Sequence, residues 1–482
     1  MSRITSANFS ANARAALADK QLQVALGHVR HNFIERRAKA IAELPEFDAL
    51  RDAARDIRDH VLNHLDLYLE RFEAKVIEHG GQVHWCDTAD QARATILSIC
   101  RGAGAKTVTK GKTMIGEEIA INAFLAENGI VPVETDLGEY IIQLRGETPS
   151  HLIAPAIHVT KNQVSDTFRA HHTDLDPLRS LEEPQTLLAE AREKLRSKFL
   201  AADVGITGAN FLIAETGQGV IVTNEGNGDL TQTLPKTQIV LASIEKIAPT
   251  LEDASVLLRV LARSATGQEM SVYTSFTTGP RRAGDLDGPE NFHVVIVDNG
   301  RSRYLGTEFQ PMLRCIRCAA CLNHCPVYQA VGGHAYGWVY SGPIGAVLTP
   351  ALVGIDRASP LPEASSLCGR CEQVCPVRIP IPSLLRRWRE ASFEGGHAGK
   401  RTRLALRLWA FAARRPGLYR CASAVAARLL ASIAGKRGRI RHLPLAAGWT
   451  GGRDLPAPAG RTFMAQYARE KGGGTDDGGY RR

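Results

Sequence analysis

Apolar residues recur at helical spacing through the first part of the chain. Leu50, Ala54, Ile57, Val61, Leu65 and Leu69 follow i, i+3/i+4 steps, with charged residues on the opposite face. This pattern predicts a surface-packed helical arm or hairpin over residues 1 to about 80. The period changes after Gly80-Gly81. Residues 82–87 read as a short strand and residues 88–101 as a helix capped by Asp87 or Thr88. A second strand covers 107–109. A second helix covers 117–128 and is stopped by Gly129, and a third strand covers 131–135. The β-α-β-α-β order predicts a parallel sheet with right-handed crossovers. A charged helical insertion follows. Pro184 opens a helix with Leu187, Ala191, Leu195 and Phe199 on one face. Residues 211–214 and 220–223 predict a hairpin across Thr216-Gly217-Gln218-Gly219, and 238–242, 271–275 and 292–297 predict further strands. Beyond Arg378 the chain is helical and basic. Leu404, Leu408 and Phe411 share one helix face, with Arg403, Arg407 and Arg414 elsewhere. The Gly/Asp-rich end, residues 472–482, reads as disordered.

In a parallel sheet, ligands bind outside the carboxyl ends of the strands. The loops expected there are Lys110-Gly111-Lys112-Thr113, Glu134-Thr135-Asp136-Leu137-Gly138-Glu139, Glu215-Thr216-Gly217 and Asn224-Glu225-Gly226-Asn227-Gly228-Asp229. Their small residues and alternating charges suit a small anionic ligand, although plain turns are the commoner role of such loops. Gly102-Ala103-Gly104 lacks a third glycine and follows a helix, so it is no dinucleotide fingerprint. No nucleotide or flavin site is read elsewhere.

At 482 residues, 44% hydrophobic and 23% charged, the chain is ordinary globular material. Its length predicts about three domains. No apolar run approaches the ~20 residues of a membrane span. Residues 1–17 lack an apolar core followed by a small-residue cleavage site. A cytoplasmic location is therefore expected, and with it reduced thiols. The net charge of +9 is unevenly spread. From Arg386 to His442 there are 15 Lys/Arg against Glu390 and Glu394, a net +13, so the rest of the chain is negative. That segment suits an anionic membrane surface or an acidic partner, against the plainer role of a solvated helical bundle packed on its neighbour. Nucleic acid is excluded as a partner, because no aromatic residues interleave with the charge.

Cysteine changes the picture most. Seven of the ten cysteines lie between Cys315 and Cys375. Cys315, Cys318, Cys321 and Cys325-Pro326 have the C-x2-C-x2-C-x3-C-P spacing of ferredoxin-type iron–sulfur sites, and Cys368, Cys371 and Cys375-Pro376 form a second run. Two-residue gaps wrap consecutive thiolates around one cluster, and the longer gap with its proline sends the last cysteine to the other. The expected wiring is Cys315, Cys318, Cys321 and Cys375 on cluster 1, with Cys325, Cys368 and Cys371 on cluster 2. A full second run would have a cysteine where Ser365 stands. Cluster 2 is then 3Fe–4S, or 4Fe–4S with a non-cysteine ligand such as Ser365. Zinc fits less well, since a zinc site needs four ligands of its own and the prolines have no role there. Cys86, Cys100 and Cys421 are expected to be buried small hydrophobes. The stretch from Gly332-Gly333-His334-Ala335-Tyr336-Gly337 to Ser341-Gly342-Pro343-Ile344-Gly345-Ala346 should cover a cluster or face a partner. His334 either serves a cluster or is a satisfied structural histidine. Arg317 and Arg370, each between ligands, are expected to raise cluster potential.

With these residues in view, the chain resembles the lactate utilization protein B family. The carrying stretches are the two cysteine runs, residues 332–350, KGKTMIGEE from Lys110 and ETDLGEYIIQL from Glu134, within a resemblance over roughly residues 60–400. The resemblance implies an α/β class: N-terminal helices (1–70), a parallel-sheet lactate-utilization (LUD) domain of the sugar-phosphate isomerase/CoA-transferase type (71–300), an α-helical two-cluster ferredoxin-like 4Fe–4S domain (301–395), a basic helical C-terminal region (396–460) and a disordered tail (461–482). It implies a non-catalytic or co-catalytic subunit that carries electrons in a complex oxidising L-lactate to pyruvate. The implied partners are a cysteine-rich-domain protein, a second LUD-domain protein and an electron acceptor not identified by sequence. If the α/β domain binds lactate, Lys110 and Lys112 are the first candidates for its carboxylate. Two alternatives stay open: electron transfer from another donor, such as glycolate or a thiol/disulfide system, and a non-redox assembly protein braced by its clusters.

Overall fold

A computed structural model describes residues 4–27, 29–443 and 446–472. Its centre is a six-stranded parallel sheet in the order β1-β10-β7-β4-β2-β3. The strands are β1 (Gln82–Cys86), β2 (Thr107–Gly111), β3 (Val131–Glu134), β4 (Val204–Gly208), β7 (Thr237–Ser243) and β10 (Asn291–Val297). A smaller sheet has the order β8-β5-β6-β9, from β5 (Phe211–Ile213), β6 (Gln218–Thr223), β8 (Ile247–Ala248) and β9 (Tyr273–Thr277). β5 and β6 pair antiparallel, as the hairpin pattern predicts. The central strands β7 and β10 carry the long apolar runs because helices cover both faces of the main sheet. Ile96, Cys100 and Leu125 fill one side with β2, β4 and β7, and Phe72 and Val76 fill the other with β7 and β10.

Three elements differ from expectation. Strand β4 was not predicted, although it is buried along its whole length. Its two glycines are packing requirements. A Cβ on Gly205 would lie 1.9 Å from the Thr231 carbonyl oxygen, and one on Gly208 would lie 2.3 Å from that of Lys112. The helix expected over 117–128 is broken into Met114–Glu118 and Ile121–Glu127, because Ala120 takes a left-handed conformation at φ 52°. The break turns Glu118 inward. The N-terminal helices are more than a surface arm. Helix Phe47–Asn63 buries Arg51 and Arg58 as well as Ala54 and Val61. Its apolar face joins a single core that runs from the smaller sheet into the cysteine region.

Residues 1–397 form one compact unit and residues 398–482 a second. The second contains helices Lys400–Ala413 and Pro416–Ala434 and a short antiparallel pair, β11 (Arg439–Ile440) with β12 (Leu455–Pro456). Leu404, Leu408 and Phe411 are exposed there. Cys421 is also exposed, against the expectation of burial, because helix Pro416–Ala434 buries only Ala427 and Ala434. Part of the expected tail is ordered as helix Phe463–Gly472, and residues 473–482 lie outside the described residues. Among the described residues, no helix is long and apolar enough to cross a membrane.

Candidate metal centre

The two cysteine runs repeat one backbone conformation at an offset of fifty residues. Arg317 and Leu367 stand just before Cys318 and Cys368, with φ of 61° and 54°. Ala319 and Gly369 stand just after them, with φ of 62° and 82°. Each run then enters a short helix, Ala320–Asn323 or Arg370–Val374, and ends in Cys-Pro. Left-handed backbone is costly for residues with a side chain. Three such residues in matched places mark a backbone shaped around something. By the same offset Cys315 corresponds to Ser365.

The side chains fall into two groups. Cys315, Cys318, Cys321 and Cys375 line one cavity of about 20 Å³, whose other walls include Leu152, Ile344 and Ile379. All four are buried. Cys325 interacts electrostatically with Cys368 and Cys371, and Cys368 is exposed, so this second group opens to solvent. Ser365, three residues before Cys368, is engaged locally. Its Oγ accepts from the Leu367 N–H at 3.1 Å, and its carbonyl accepts from Arg389 at 3.0 Å.

Protonation chemistry tests what these groups fit. Burial, and then neighbouring sulfurs, pushes Cys371 up to about 12 and raises Cys318 and Cys321. Burial likewise pushes Cys375 up to about 11. Four buried thiols around one cavity resist ionising together unless a cationic centre binds them. Backbone donors are nevertheless placed for thiolates. Ile379 N–H lies 3.4 Å from Cys375 Sγ, and N–H groups of Val327 and Tyr328 point at Cys325. Tyr336 Oη is buried with no oxygen or nitrogen partner and faces Cys325. Among the described residues, no three His, Cys, Asp or Glu side chains converge as on a single metal ion. The residues fit a polynuclear iron–sulfur centre.

A buried charge chain leads to this site. Glu118 takes a bidentate pair from Arg301 at 2.9 and 2.5 Å and accepts from Tyr340 Oη at 2.6 Å. Glu245 bridges Arg301 and Arg317 at 3.1 Å each. Burial acts to raise the Glu245 carboxyl, yet Arg301 and Arg317 hold it down at about 2. Arg317 is buried between Cys315 and Cys318, with its guanidinium 4.9 Å from the Tyr340 ring centre. Arg370, the other arginine between ligands, is exposed and pairs with Gln373 at 2.6 Å. Helix Phe47–Asn63 adds clamps. Arg58 donates to the carbonyls of Ile247, Glu245 and Leu313, and Arg51 to those of Gln373 and Cys375.

The glycine-rich stretch sets Tyr336 against Cys325 and packs on the α/β region at Ser150. A Cβ on Gly333 would lie 1.7 Å from the Ser150 carbonyl oxygen, which also accepts from Tyr328 and Ser341 hydroxyls. His334 is a satisfied structural histidine, with Nε2 2.7 Å from the Thr148 carbonyl and its ring edge-on to His158.

A larger cavity, about 530 Å³, opens at the carboxyl ends of β2, β4 and β7. Lys112 lines its mouth, paired with Asp136 and with Glu225 at 3.0 Å. Lys110 does not line it. That side chain is fully buried between Glu117 and Glu134, at 2.8 Å from each. The floor is made by Arg317 and by Lys246, which sequence reasoning passed over. The available signal was its place directly after the apolar run of β7. Leu152 lines both cavities.

The chain matches three families in succession: the LUD domain over residues 69–297, a 4Fe-4S dicluster domain over 311–379, and the C-terminal region of lactate utilisation protein B over 380–472. The second match makes the cysteine segment an iron–sulfur-binding segment. A Lactate utilization protein B from Shouchella clausii is 45% identical over 98% of this chain and 99% of its own. An electron transport protein of Escherichia coli, YkgF, described as uncharacterized, is 41% identical over 97% of this chain and 98% of its own. A crystal structure of a DUF162 family protein from Deinococcus radiodurans covers 48% of this chain and 98% of its own at 15% identity. Its TM-score is 0.25.

Proposed function

The chain belongs to the lactate utilization protein B family, and from that premise we propose that it is the iron–sulfur electron relay of a complex that oxidises L-lactate to pyruvate. The observation that carries this reading is the gathering of Cys315, Cys318, Cys321 and Cys375, from two distant runs, around one cavity. With Cys325, Cys368 and Cys371 opposed beside it, the arrangement supports two 4Fe–4S clusters with crossed ligands. The second lacks a fourth cysteine, and Ser365 or a non-protein ligand completes it. When bound, such clusters supply single-electron transfer.

The protein's own residues do the rest. Leu152, Ile344 and Ile379 keep water from the first group. Arg317 and the backbone N–H donors stabilise negative charge on sulfur, which favours reduction. Two neighbouring sites suit a donor that gives two electrons and an acceptor that takes them singly. The exposed Cys368 side is the port to a partner. The partners in this reading are a cysteine-rich-domain protein, a second LUD-domain protein and an electron acceptor, in the cytoplasm where the thiols stay reduced.

Cys318→Ser tests the relay. It removes a ligand of the first cluster, and lactate-dependent electron flow through the assembled complex should stop. Normal turnover in a variant verified to lack that cluster would discard the role.

A further inference from the structure

Four lysine and arginine side chains stand near the carboxyl ends of the sheet, and their partners separate them. Lys110 is neutralised by Glu117 and Glu134, and Lys112 by Asp136 and Glu225. Lys246 is not neutralised in this way. It ends the short turn Ile244–Lys246 directly after β7, is 8% exposed and lines the 530 Å³ cavity. Among the described residues, none accepts a hydrogen bond from its Nζ. Arg317 shares the floor. One of its terminal nitrogens reaches Glu245 at 3.1 Å, while the other, Nη1, is buried without a partner. Glu245, the nearby carboxylate, is already shared between Arg301 and Arg317.

An ammonium that lines a cavity with no acceptor of its own leaves its donors to whatever fills the cavity. An ammonium without a hydrogen-bond partner and a guanidinium with one nitrogen unpaired, both lining a cavity of ligand size at the strand ends where α/β folds bind ligands, are complementary to an anion. The anion's form follows from its surroundings. Leu152, Leu261 and Ala262 give the cavity apolar walls suited to a short carbon chain. Asp136 and Glu225 share the single cation of Lys112, so that part of the lining stays net negative and disfavours a multiply charged ion. We propose that Lys246 and Arg317 form a binding site for the carboxylate of a small hydroxy or oxo acid, beside the thiols of Cys315 and Cys318.

The identity of the acid rests on the proposed function; the anion site does not. The inference concerns binding and assigns no oxidation step to this cavity. It moves the carboxylate contact from Lys110 and Lys112 to Lys246 and Arg317. Because Arg317 lies between two cysteines of the first group, an occupant places its negative charge next to that group.

The test is calorimetric titration of the anaerobic, iron-loaded full chain with sodium L-lactate, sodium pyruvate and sodium phosphate. Iron content and visible absorption verify that each variant is loaded. One of the two organic acids should bind, and phosphate should bind more weakly. Lys246→Met should weaken binding about tenfold or more, Lys246→Arg should retain part of it, and Lys112→Met should change it by less than about threefold. Lys246→Met keeps most of the side-chain volume and breaks no hydrogen bond, so its unfolding temperature should stay near that of the wild type. Equal affinity in Lys246→Met, absence of binding to both acids, or phosphate binding as tightly as either acid would overturn the proposal. A complex that oxidises L-lactate while the loaded chain binds neither acid would sink the site and leave the relay standing. Lys246-dependent binding in a complex without lactate turnover would support the site and sink the relay.

Discussion

Cys315 and Ser365 occupy the same place in two cysteine runs that otherwise repeat each other's backbone, yet Cys315 is buried beside three other thiols and Ser365 is only half-buried. The second group of thiols is therefore one ligand short by its own repeat. Ser365→Cys should supply it. The Mössbauer spectrum of the ⁵⁷Fe-loaded variant should change for the iron at Cys325, Cys368 and Cys371, and the iron at the enclosed group should be untouched. An unchanged spectrum would place Ser365 outside the ligand sphere.

Arg58 is buried in the helix that joins the α/β region to the cysteine region. It donates to the carbonyls of Ile247, Glu245 and Leu313, and Leu313 stands two residues before Cys315. Arg58→Met keeps much of the volume but leaves those carbonyls buried without donors. The expected loss is about 2–4 kcal/mol in denaturant unfolding of the anaerobic protein, with lowered iron retention.

Tyr336 has a buried hydroxyl aimed at Cys325 and no oxygen or nitrogen to accept from it. A hydrogen bond to sulfur stabilises the reduced state of a cluster. Tyr336→Phe should therefore lower one midpoint potential by about 20–60 mV, the electrical equivalent of one modest hydrogen bond. Potentiometric titration followed by EPR reads it, and the other potential should stay in place.

Iron removal should act locally. The cysteine segments and helix Phe47–Asn63 share one core, while β1, β2, β4, β7 and β10 pack in others. Chelation leaves buried thiols that burial and mutual repulsion keep protonated. Hydrogen exchange should then accelerate over residues 311–379 and in helix Phe47–Asn63, with the parallel sheet still protected. Uniform loss of protection across both would show that the sheet depends on the metal.

Much of this arrangement was legible in the chain, and the failures have physical causes. Apolar runs gave β7 and β10, which are buried on both faces, while β1, β2 and β3 were legible from their β-branched residues and the helices between them. Cysteine spacing predicted which thiols would meet. Strand β4 was hidden because Gly205 and Gly208 serve close approaches to Thr231 and Lys112, and propensity counts glycine against a strand. Helix Phe47–Asn63 was misjudged because Arg51 and Arg58 look like a solvated face, and only the fold shows the carbonyls they meet. Lys110 and Lys112 stood out by position in a loop, but charge availability depends on which carboxylates come near. Lys246 had no such motif, and its importance lies in having no partner.

EPR of the chain purified anaerobically with its natural partners, frozen before and after L-lactate is added, reads electron arrival at the cysteine site most directly. The predicted result is about eight irons per chain, with reduced-cluster signals that grow on L-lactate and are lost in Cys318→Ser. Iron-bearing protein whose signals ignore L-lactate while the complex still makes pyruvate would contradict the relay.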